Sequence, residues 1–380
     1  MLRKILLCSL LAFCATSQVF ATDALTWTAC TVEQSGFASN LLNSVVAEGS
    51  TIYAGTFGGV SISNDDGQTW KITLPEPVNQ IYIGNNVLYA ATSTGLYSSD
   101  DAGNNWVRYN ITDQSTNNEL TQISGVYVAN DKNHTIYVSG TSGDQTPTGT
   151  MFSTDGGLRW TNVFPYPLGS LTSTPYTTAI TGTNNGLLIA TVESYQVCAG
   201  SINYPSSCYY ESLDGGQTWQ PGLSLVANPS VSYDTFIPSN LFIQGNSVYA
   251  SGNTQATVGP AAAAISNDGG NTWIDYTTNP FPAAVPFSFR YYLPYFTAGY
   301  GSVMAMTGST QPPPSQSNAE ALFVNNGTDY WTEYDSGAGI SFVTAVNALY
   351  VNSAGSVYVA TNSGLAVERL SVNKLNWRLK

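Results

Sequence analysis

The chain has 380 residues, of which 43% are hydrophobic and only 9% are charged, and its formal net charge is −13. This negative charge argues against nucleic acid as a partner, because the phosphate backbone is itself negative. The apolar fraction is enough for a large core, and no segment has a sustained helical period of apolar residues, so we predict an all-β protein.

Residues 1–21 have the features of a secretory signal peptide. Arg3 and Lys4 give a positive start, a short apolar run follows, and small residues precede a cleavage site that we predict after Ala21. The apolar run is too short to span a bilayer. We therefore expect an exported protein, periplasmic or secreted and not membrane-embedded, whose mature part is residues 22–380.

Eight tryptophans recur from Trp27 to Trp377 at intervals of about 50 residues, a spacing typical of propeller blades. In the first interval, "NSVVAE", "STIYAGT", "GVSISND" and "TWKIT" have the β-branched and aromatic residues of four short strands. The second of these segments recurs at 50–56, 87–92, 135–141, 186–192, 247–253, 302–308 and 356–362. We predict one domain, a seven-bladed β-propeller of four-stranded blades.

An octapeptide recurs between the third and the fourth strand of the first five units. It reads SNDDGQTW, SDDAGNNW, STDGGLRW, SLDGGQTW and SNDGGNTW in chain order. Its glycine permits a positive φ, its Ser and Asp side chains can accept N–H groups of a turn, and its Trp can pack between blades. We interpret it as one structural turn used five times. The residues with this structural role are Ser63, Asp65, Gly67, Trp70, Ser99, Asp101, Gly103, Trp106, Ser153, Asp155, Gly157, Trp160, Ser212, Asp214, Gly216, Trp219, Ser266, Asp268, Gly270 and Trp273.

These octapeptides resemble the Asp-box, or bacterial neuraminidase (BNR), repeat S-x-D-x-G-x-x-W. The resemblance covers nearly the whole mature chain, although the sixth and seventh copies, VNNGTDYW and LSVNKLNW, have lost most of the motif. It implies a β-propeller with the Asp boxes at the blade periphery, away from an active site. It leaves the function open, because the superfamily includes sialidases, xyloglucan-cleaving glycosidases, sortilin-type receptors and a photosystem assembly factor.

The longest loops are predicted on one face of the propeller, which we call the long-loop face. They are the second-to-third-strand loops 141–149, 193–208 and 308–320 and the inter-blade connections 165–175, 221–238 and 279–294. Loop extensions on a rigid scaffold commonly form binding sites. We therefore predict a non-catalytic binding or scaffold module that takes a protein or a glycan on the long-loop face of blades three to six.

Aromatic residues and one arginine are concentrated in these loops. The predicted ligand-binding residues are Arg290, Tyr291, Tyr292, Phe289, Tyr233 and Tyr195. Aromatic faces beside a guanidinium can stack on sugars or anchor a protein side chain. The same rings can instead pack the long loops onto the propeller, and both interpretations stay open.

A glycoside hydrolase is the alternative function. The sialidase resemblance would imply three arginines around a carboxylate, whereas Arg290 is the one arginine that we place at the rim of the long-loop face. A two-carboxylate mechanism would need two acids close together on that face. The weak candidates are Asp144, Glu193, Asp234 and Glu320. His134 falls in a turn on the opposite face, where we assign it no catalytic role.

Three cysteines remain after the signal peptide. Cys198 and Cys208 lie in one polar loop, and an exported chain meets oxidising conditions, so we predict a disulfide between them. Cys30 is then left over as a small buried hydrophobe. With three cysteines and one histidine we expect no zinc site, and no motif indicates a cofactor. We expect a monomer.

The last blade needs a strand from the other end of the chain. "LTWTA", which contains Trp27, and "NWRLK", which contains Trp377, are both candidates for its outer edge. One terminus of a propeller often completes the blade that the other begins, and the sequence alone does not choose between the two.

Overall fold

The structure is a computed structural model. It describes residues 27–30, 36–114, 117, 119–142, 147–162, 176–194, 206–221, 237–253, 261–270, 272, 274–275, 294–301, 303–308, 321–326, 332–334 and 346–368. The named elements in these residues are all β-strands, which confirms the all-β prediction. Over the same residues, no helix has the length and apolar character needed to cross a membrane.

The described strands form seven four-stranded antiparallel sheets and one two-stranded sheet, numbered here in chain order. Sheet 1 contains β2 (Leu42–Glu48), β3 (Thr51–Thr56), β4 (Gly59–Ser63) and β5 (Lys71–Leu74). Sheet 2 contains β6 (Val78–Gly84), β7 (Val87–Thr92), β8 (Gly95–Ser99) and β9 (Val107–Arg108). A two-stranded hairpin follows, with β10 (Ile111–Thr112) and β11 (Glu119–Leu120). Sheet 3 contains β12 (Gln122–Val128), β13 (Ile136–Thr141), β14 (Pro147–Ser153) and β15 (Thr161–Asn162).

The remaining sheets repeat this order. Sheet 4 contains β16 (Tyr176–Gly182), β17 (Leu188–Ser194), β18 (Ser206–Ser212) and β19 (Gln220–Pro221). Sheet 5 contains β20 (Ile237–Gln244), β21 (Ser247–Asn253), β22 (Ala261–Ser266) and β23 (Ile274–Asp275). Sheet 6 contains β24 (Pro294–Tyr300), β25 (Val303–Gly308), β26 (Ala321–Asn326) and β27 (Thr332–Tyr334). Sheet 7 contains β28 (Val346–Val351), β29 (Val357–Thr361), β30 (Gly364–Glu368) and the N-terminal β1 (Trp27–Cys30).

The N-terminal strand completes sheet 7. β1 pairs with β30 in antiparallel register, with Trp27 opposite Glu368 and Cys30 opposite Leu365. Sheet 7 therefore has the order β1-β30-β29-β28, with β1 at its outer edge. Of the two strands that the sequence offered for this edge, "LTWTA" provides the one found there, and Trp377 lies outside the described residues.

Neighbouring sheets pack face to face around their first strands. The contacting first strands are β2 with β6, β6 with β12, β12 with β16, β20 with β24, β24 with β28, and β28 with β2. Five of these six interfaces have a described apolar cluster drawn from two sheets; for example, Leu42 and Ile52 of sheet 1 pack with Tyr358 and Leu365 of sheet 7. Where the structure describes their side chains, the second strands are almost fully buried because sheets cover both of their sides, and they therefore read as continuous apolar runs such as "VLYAAT".

The octapeptide turns are held by bonds from their Ser and Asp side chains. In the first turn, Ser63 Oγ accepts the N–H of Gly67 at 2.7 Å and donates to Asp65 Oδ1 at 2.8 Å. Asp65 accepts the N–H of Thr69 at 2.8 Å and its hydroxyl at 2.6 Å. The indole of Trp70 donates to the Gly67 carbonyl at 3.0 Å. The corresponding Ser–Asp bonds join Ser99 to Asp101, Ser153 to Asp155, Ser212 to Asp214 and Ser266 to Asp268.

These turns lie on the face opposite the inter-sheet connections. The N–H of Asp66, in the first octapeptide, donates to the carbonyl of Ser50, in the turn between the first two strands of the same sheet, at 3.0 Å. In sheet 5 the N–H of Gly269 likewise donates to the carbonyl of Asn246 at 2.8 Å. We call this side the octapeptide face.

The hydrogen bonds of the octapeptide turns lower the pKa of their aspartates. The pKa of Asp65 is lowered to about 2, first by the hydroxyl and then by the N–H of Thr69. The corresponding bonds lower the pKa of Asp214 to about 2. The pKa of Asp101 is lowered to about 2, first by the N–H and then by the side-chain amide of Asn105. The donors of the turns therefore stabilise the ionised form of all three carboxylates in the folded chain.

We expect the unfolding temperature to fall as the pH decreases from about 4 to about 2. The folded pKa values of these aspartates are depressed below that of an unfolded aspartate. Their contribution to the free energy of unfolding is therefore complete above about pH 4 and is lost as the pH falls through about 2. Replacing Asp65, Asp101 and Asp214 together by Asn keeps an acceptor oxygen but removes the titration. Melting followed by circular dichroism should therefore show a smaller fall for this triple variant.

A second triple variant, D66N, D100N and E119Q, is the control for this pH experiment because it removes the same number of negative charges. It should keep the pH dependence of the wild-type chain. Equal flattening in both variants would mean that general charge repulsion, and not the turn bonds, sets the acid sensitivity.

Candidate functional site

The first strands enclose a central cavity of about 840 Å³. β2, β6, β12, β16, β20 and β28 all contribute to its lining. The lining that the structure describes is made of backbone, aliphatic side chains, tyrosines, one phenylalanine, serine and threonine side chains and neutral amides, and it contains one carboxylate, Glu48, one imidazole, His134, and neither lysine nor arginine. The cavity is therefore suited to neutral polar groups over most of its length.

Each first strand has a β-bulge near its start. The register with the second strand shifts at Asn43, Asn79, Ser124, Thr178, Ser239, Tyr295 and Asn347. A bulge leaves the extra residue out of the ladder and redirects its side chain. Because the chain enters every first strand from an inter-sheet connection, these residues lie at the end of the cavity that opens on the long-loop face.

Three of the bulge residues are asparagines that bond to the next sheet. Asn43 Nδ2 donates to the Val78 carbonyl at 2.8 Å, and Asn79 Nδ2 donates to the Ile123 carbonyl at 2.8 Å. Asn347 Nδ2 donates to the carbonyl of Leu42 at 2.7 Å. Each acceptor directly precedes the bulge of the following sheet. This amide series, Asn347, Asn43 and Asn79, therefore links sheets 7, 1, 2 and 3 in order around the cavity mouth.

The Asn347→Asp variant is expected to lower the free energy of unfolding by about 1–3 kcal/mol. Besides the Leu42 carbonyl, Asn347 Nδ2 also donates to Asn362 Oδ1, at 2.7 Å. A carboxylate has no donor, so aspartate loses both bonds and turns an oxygen toward two acceptors. Urea unfolding measures the loss.

The Asn362→Asp variant is the matched control because a carboxylate at position 362 still accepts from Asn347. We expect it to change the free energy of unfolding by less than about 0.5 kcal/mol. Equal decreases in the free energy of unfolding for the two variants would contradict the assignment of Asn347 as the donor and Asn362 as the acceptor.

Tyrosine hydroxyls form a second set of links deeper in the sheet interfaces. Tyr82 donates to the Val128 carbonyl at 3.4 Å and Tyr127 donates to the Thr183 carbonyl at 3.2 Å. Burial raises the pKa of Tyr82 to about 12. These hydroxyls are therefore neutral donors at physiological pH.

Most of the site predicted from the loops lies outside the described residues. The predicted residues that lie there are Arg290, Tyr291, Tyr292, Phe289, Tyr233, Tyr195, Asp144, Asp234, Glu320, Cys198 and Trp273. For Glu193 and Cys208 the backbone alone is described, in β17 and β18, with Glu193 opposite Ser207 and Cys208 opposite Val192. The predictions for all these residues, including the disulfide, stay predictions. His134 lies in the turn after β12, with a φ of 48°, and it lines the cavity at the octapeptide face.

The amide series was not among the predicted site residues, although the sequence contains a signal for it. Segments of the form polar-x-aliphatic-aromatic begin at the bulge positions, as "NQIY", "SGVY", "SNLF" and "NALY". A polar residue three positions before a buried or half-buried aromatic thus marks the start of four of the seven first strands, although Asn43, in "NSVV", has no such aromatic. What the pattern does not contain is the acceptor, because Leu42 and Asn347 are far apart in the sequence.

The model of the DUF6242 beta propeller domain matches residues 11–241 of the chain. The chain belongs to the DUF6242 β-propeller family. This membership confirms the β-propeller superfamily that the octapeptides indicated. A search of curated proteins found no match for this DUF6242 chain.

Solved structures share the propeller fold at low identity. The extracellular domain of BT4673 from B. thetaiotaomicron is 12% identical, with a TM-score of 0.56, over 91% of this chain and 40% of that one. The DUF6242 chain thus spans less than half of that domain. YCF48 bound to D1 peptide is 13% identical, with a TM-score of 0.56, over 92% of this chain and 98% of that one. The Niastella koreensis GH74 enzyme is 16% identical, with a TM-score of 0.55, over 90% of this chain and 53% of that one.

Proposed function

We propose that this DUF6242 chain is an exported, non-catalytic binding module that takes a protein or a glycan on its long-loop face. The observation that carries the proposal is the cavity mouth on that face, where the amide series is fixed by bonds of 2.7–2.8 Å between neighbouring sheets. A polar surface that is already rigid loses little conformational entropy when a ligand binds. Such a mouth suits a ligand with neutral hydrogen-bonding groups.

We propose that the seven sheets are the blades of one closed ring within residues 22–380, with the octapeptides as Asp-box turns. The packing of β28 on β2 and the pairing of β1 with β30 support closure, because both join the end of the described chain to its beginning. The N-terminal strand covers the outer edge of β30, which would otherwise be open to pairing with a second copy, and this supports a monomer.

Hydrolysis is less well supported than binding. Glycoside hydrolysis needs two carboxyl groups within about 5–10 Å of each other. The described cavity lining has the single carboxylate Glu48, and β2 ends at this residue, on the octapeptide face. A propeller of the same fold, YCF48, has been solved with a peptide bound, so a peptide segment is a ligand class to test beside glycans.

Export is part of the proposal. The mature protein is proposed to begin after Ala21, and the similar extracellular domain of BT4673 supports a location outside the cytoplasm. Mass spectrometry of the chain purified from its own source gives the N-terminal residue directly. A chain that retains residues 1–21 would contradict this part.

The binding experiment uses residues 22–380 on arrays of glycans and of peptides, read for retained protein and for released sugar. We expect retention without sugar release, and we expect the R290A and Y291A variants to lose at least about tenfold in affinity, as for hot-spot residues. Leu158 is the control because it is 83% exposed in the third octapeptide, on the octapeptide face. The L158A variant should keep full binding.

Three outcomes would change the proposal. Loss of binding in the L158A variant to the same extent would move the site away from the long-loop face. Sugar release would replace the binding module by a glycoside hydrolase. Folded protein that retains no glycan and no peptide would contradict the ligand classes proposed.

A further inference from the structure

Each asparagine of the amide series has one side-chain atom that is bonded and one that is open. The nitrogen Nδ2 donates to a carbonyl of the next sheet, and this bond fixes the direction of the oxygen Oδ1. Among the described residues, no donor reaches Oδ1 of Asn43, Asn79 or Asn347. Oδ1 is not buried in Asn43 or Asn347, and Asn79 is exposed. All three residues line the cavity, so their oxygens are open acceptors at its mouth.

These open acceptors follow one another closely around the mouth. The carbonyl that Asn347 binds belongs to Leu42, the residue directly before Asn43. The carbonyl that Asn43 binds in turn directly precedes Asn79. Each amide is therefore one hydrogen bond and one peptide group away from the next. A ligand that lies across two neighbouring sheets at the mouth can thus meet more than one of these oxygens.

An exposed aromatic ring belongs to the same face. Phe57 is 60% exposed in the turn between β3 and β4. Its N–H donates to the carbonyl of Leu41, directly before β2, at 2.9 Å. The turn that carries the ring is therefore bonded to the segment that leads into Asn43.

The equivalent position in sheet 7 shows what a side chain at this place contacts. Asn362, like Phe57, follows the threonine that ends the second strand, and in both sheets that threonine pairs with the residue before the bulge asparagine. The side chain of Asn362 contacts the bulge amide of its own sheet, Asn347, at 2.7 Å. Phe57 therefore occupies the position next to the amide of Asn43, and the two offer an aromatic ring beside an acceptor oxygen.

The charges around this part of the mouth disfavour an acidic ligand. The described cavity lining has neither lysine nor arginine, and the net charge of the chain is −13. Glu76, in the connection that leads into β6, adds a carboxylate to the same face, where it accepts the hydroxyl of Thr94 at 2.9 Å. An anion here would meet acceptor oxygens and negative charge, and it would find no cation in the described lining.

We propose that the mouth beside sheets 7, 1 and 2 binds a neutral sugar of a glycan. A sugar ring has an apolar C–H face, which lies against the ring of Phe57, and hydroxyl groups, which donate to Oδ1 of Asn43 and Asn347. A peptide backbone presents a carbonyl for nearly every N–H, and those carbonyls would face open acceptors. This inference rests on the function proposed above and narrows its ligand class from a protein or a glycan to a neutral glycan.

The test is isothermal titration calorimetry of the folded chain 22–380 with four neutral trisaccharides, namely cellotriose, maltotriose, mannotriose and galactotriose. Trigalacturonic acid is the acidic counterpart of galactotriose, because it has carboxylates in place of the hydroxymethyl groups. We expect at least one neutral trisaccharide to bind at millimolar concentration or below. Trigalacturonic acid should show no binding at the same concentrations.

Variants of Phe57 test the stacking. F57A should weaken binding of the neutral trisaccharide at least about tenfold, because the sugar loses the apolar area of the ring. F57L keeps an apolar side chain without a ring. The C–H protons of the bound sugar should shift upfield in NMR spectra with the wild-type chain, through the ring current of Phe57, and should not shift with F57L. The side chain is exposed, so these substitutions leave folding intact, and L158A is again the control.

The N43A variant tests the acceptor. It removes Oδ1 and should weaken binding by about threefold to tenfold, as one neutral hydrogen bond predicts. It also removes the bond to the Val78 carbonyl, so circular dichroism is used to show that the variant is folded during the titration.

The proposal is overturned if none of the four neutral trisaccharides binds at millimolar concentration, or if F57A binds them as the wild-type chain does. Equal binding of trigalacturonic acid also overturns it, and loss of that binding in R290A would assign recognition to the arginine of the long loops. Retention on the peptide array without binding of a neutral sugar would refute this inference and leave the proposed binding function standing. Failure of both arrays would contradict the proposed function itself.

Discussion

Replacing Trp160 by alanine is expected to lower the free energy of unfolding by about 3–5 kcal/mol, the range found for deleting a buried aromatic side chain. Trp160 is 1% exposed and packs in the cluster that joins sheets 2 and 3. Its indole donates to the Gly157 carbonyl at 3.1 Å and meets the ring of Tyr109 edge to face at 6.1 Å. Alanine leaves a void between two sheets and an unpaired carbonyl. Urea unfolding with linear extrapolation measures the loss.

The control for Trp160 is the same motif position in the preceding sheet. Trp106 is only half-buried, and its indole donates across to the Thr73 hydroxyl at 3.3 Å. The Trp106→Ala variant should cost about 1–3 kcal/mol, because less area is lost and water can reach the site. Equal losses at both positions would show that the octapeptide itself, and not the depth of burial, sets the contribution of its tryptophan.

The burial of Trp160 depends on an insertion that the repeat pattern did not predict. The β10–β11 hairpin lies between sheets 2 and 3, and its Ile111 and Leu120 belong to the same cluster as Trp160. Asp113, which follows β10, forms an isolated bridge with Trp160 and accepts the N–H of Asn162 at 3.2 Å. The hairpin therefore covers one octapeptide tryptophan that would otherwise be half-exposed.

The elements that were predictable from the sequence are those whose signal is local. The second strand of the second unit was predicted at 87–92 and is β7, Val87–Thr92. Period-two alternation and continuous apolar runs are read within a few residues. In contrast, the bond from Asn347 to Leu42 and the meeting of Phe242 with Tyr350 join separate sheets. Their geometry depends on how the sheets pack, which no local pattern contains.

The candidate site was predictable only in part, for the same reason. Loop length indicated which face to consider, and the residues chosen on that face lie outside the described part of the chain. The central cavity could not be found from the loops, because its lining residues lie in or next to the regular strands of several sheets. Each of these residues has an ordinary strand or turn context in the sequence, and only the packing of the sheets brings them together.

Replacing Gly59 by alanine is expected to lower the free energy of unfolding by about 3–5 kcal/mol. Gly59 ends the tight turn between β3 and β4 with a φ of +135°, a conformation that residues with a Cβ rarely adopt. A Cβ there would lie 2.3 Å from the Leu74 carbonyl oxygen, which is fixed because it belongs to strand β5. The cost of the strained backbone conformation and the cost of the clash with the Leu74 carbonyl therefore add. Urea unfolding of the variant measures the sum.

Gly95 separates the two contributions, because it occupies the same place in sheet 2. In both turns a threonine hydroxyl, of Thr56 or Thr92, donates to the glycine carbonyl at 2.8 Å. The φ of Gly95 is +142°, but its added Cβ would meet Arg108 Nε at 2.8 Å, and this exposed side chain can move away with the loss of its two bonds to the Thr94 carbonyl. The Gly95→Ala variant should thus lose about 1–3 kcal/mol, mostly the backbone strain. An equal decrease in the free energy of unfolding for Gly95→Ala and Gly59→Ala would mean that the clash with the Leu74 carbonyl contributes nothing. The requirement for glycine in these short turns would then come from the backbone φ alone.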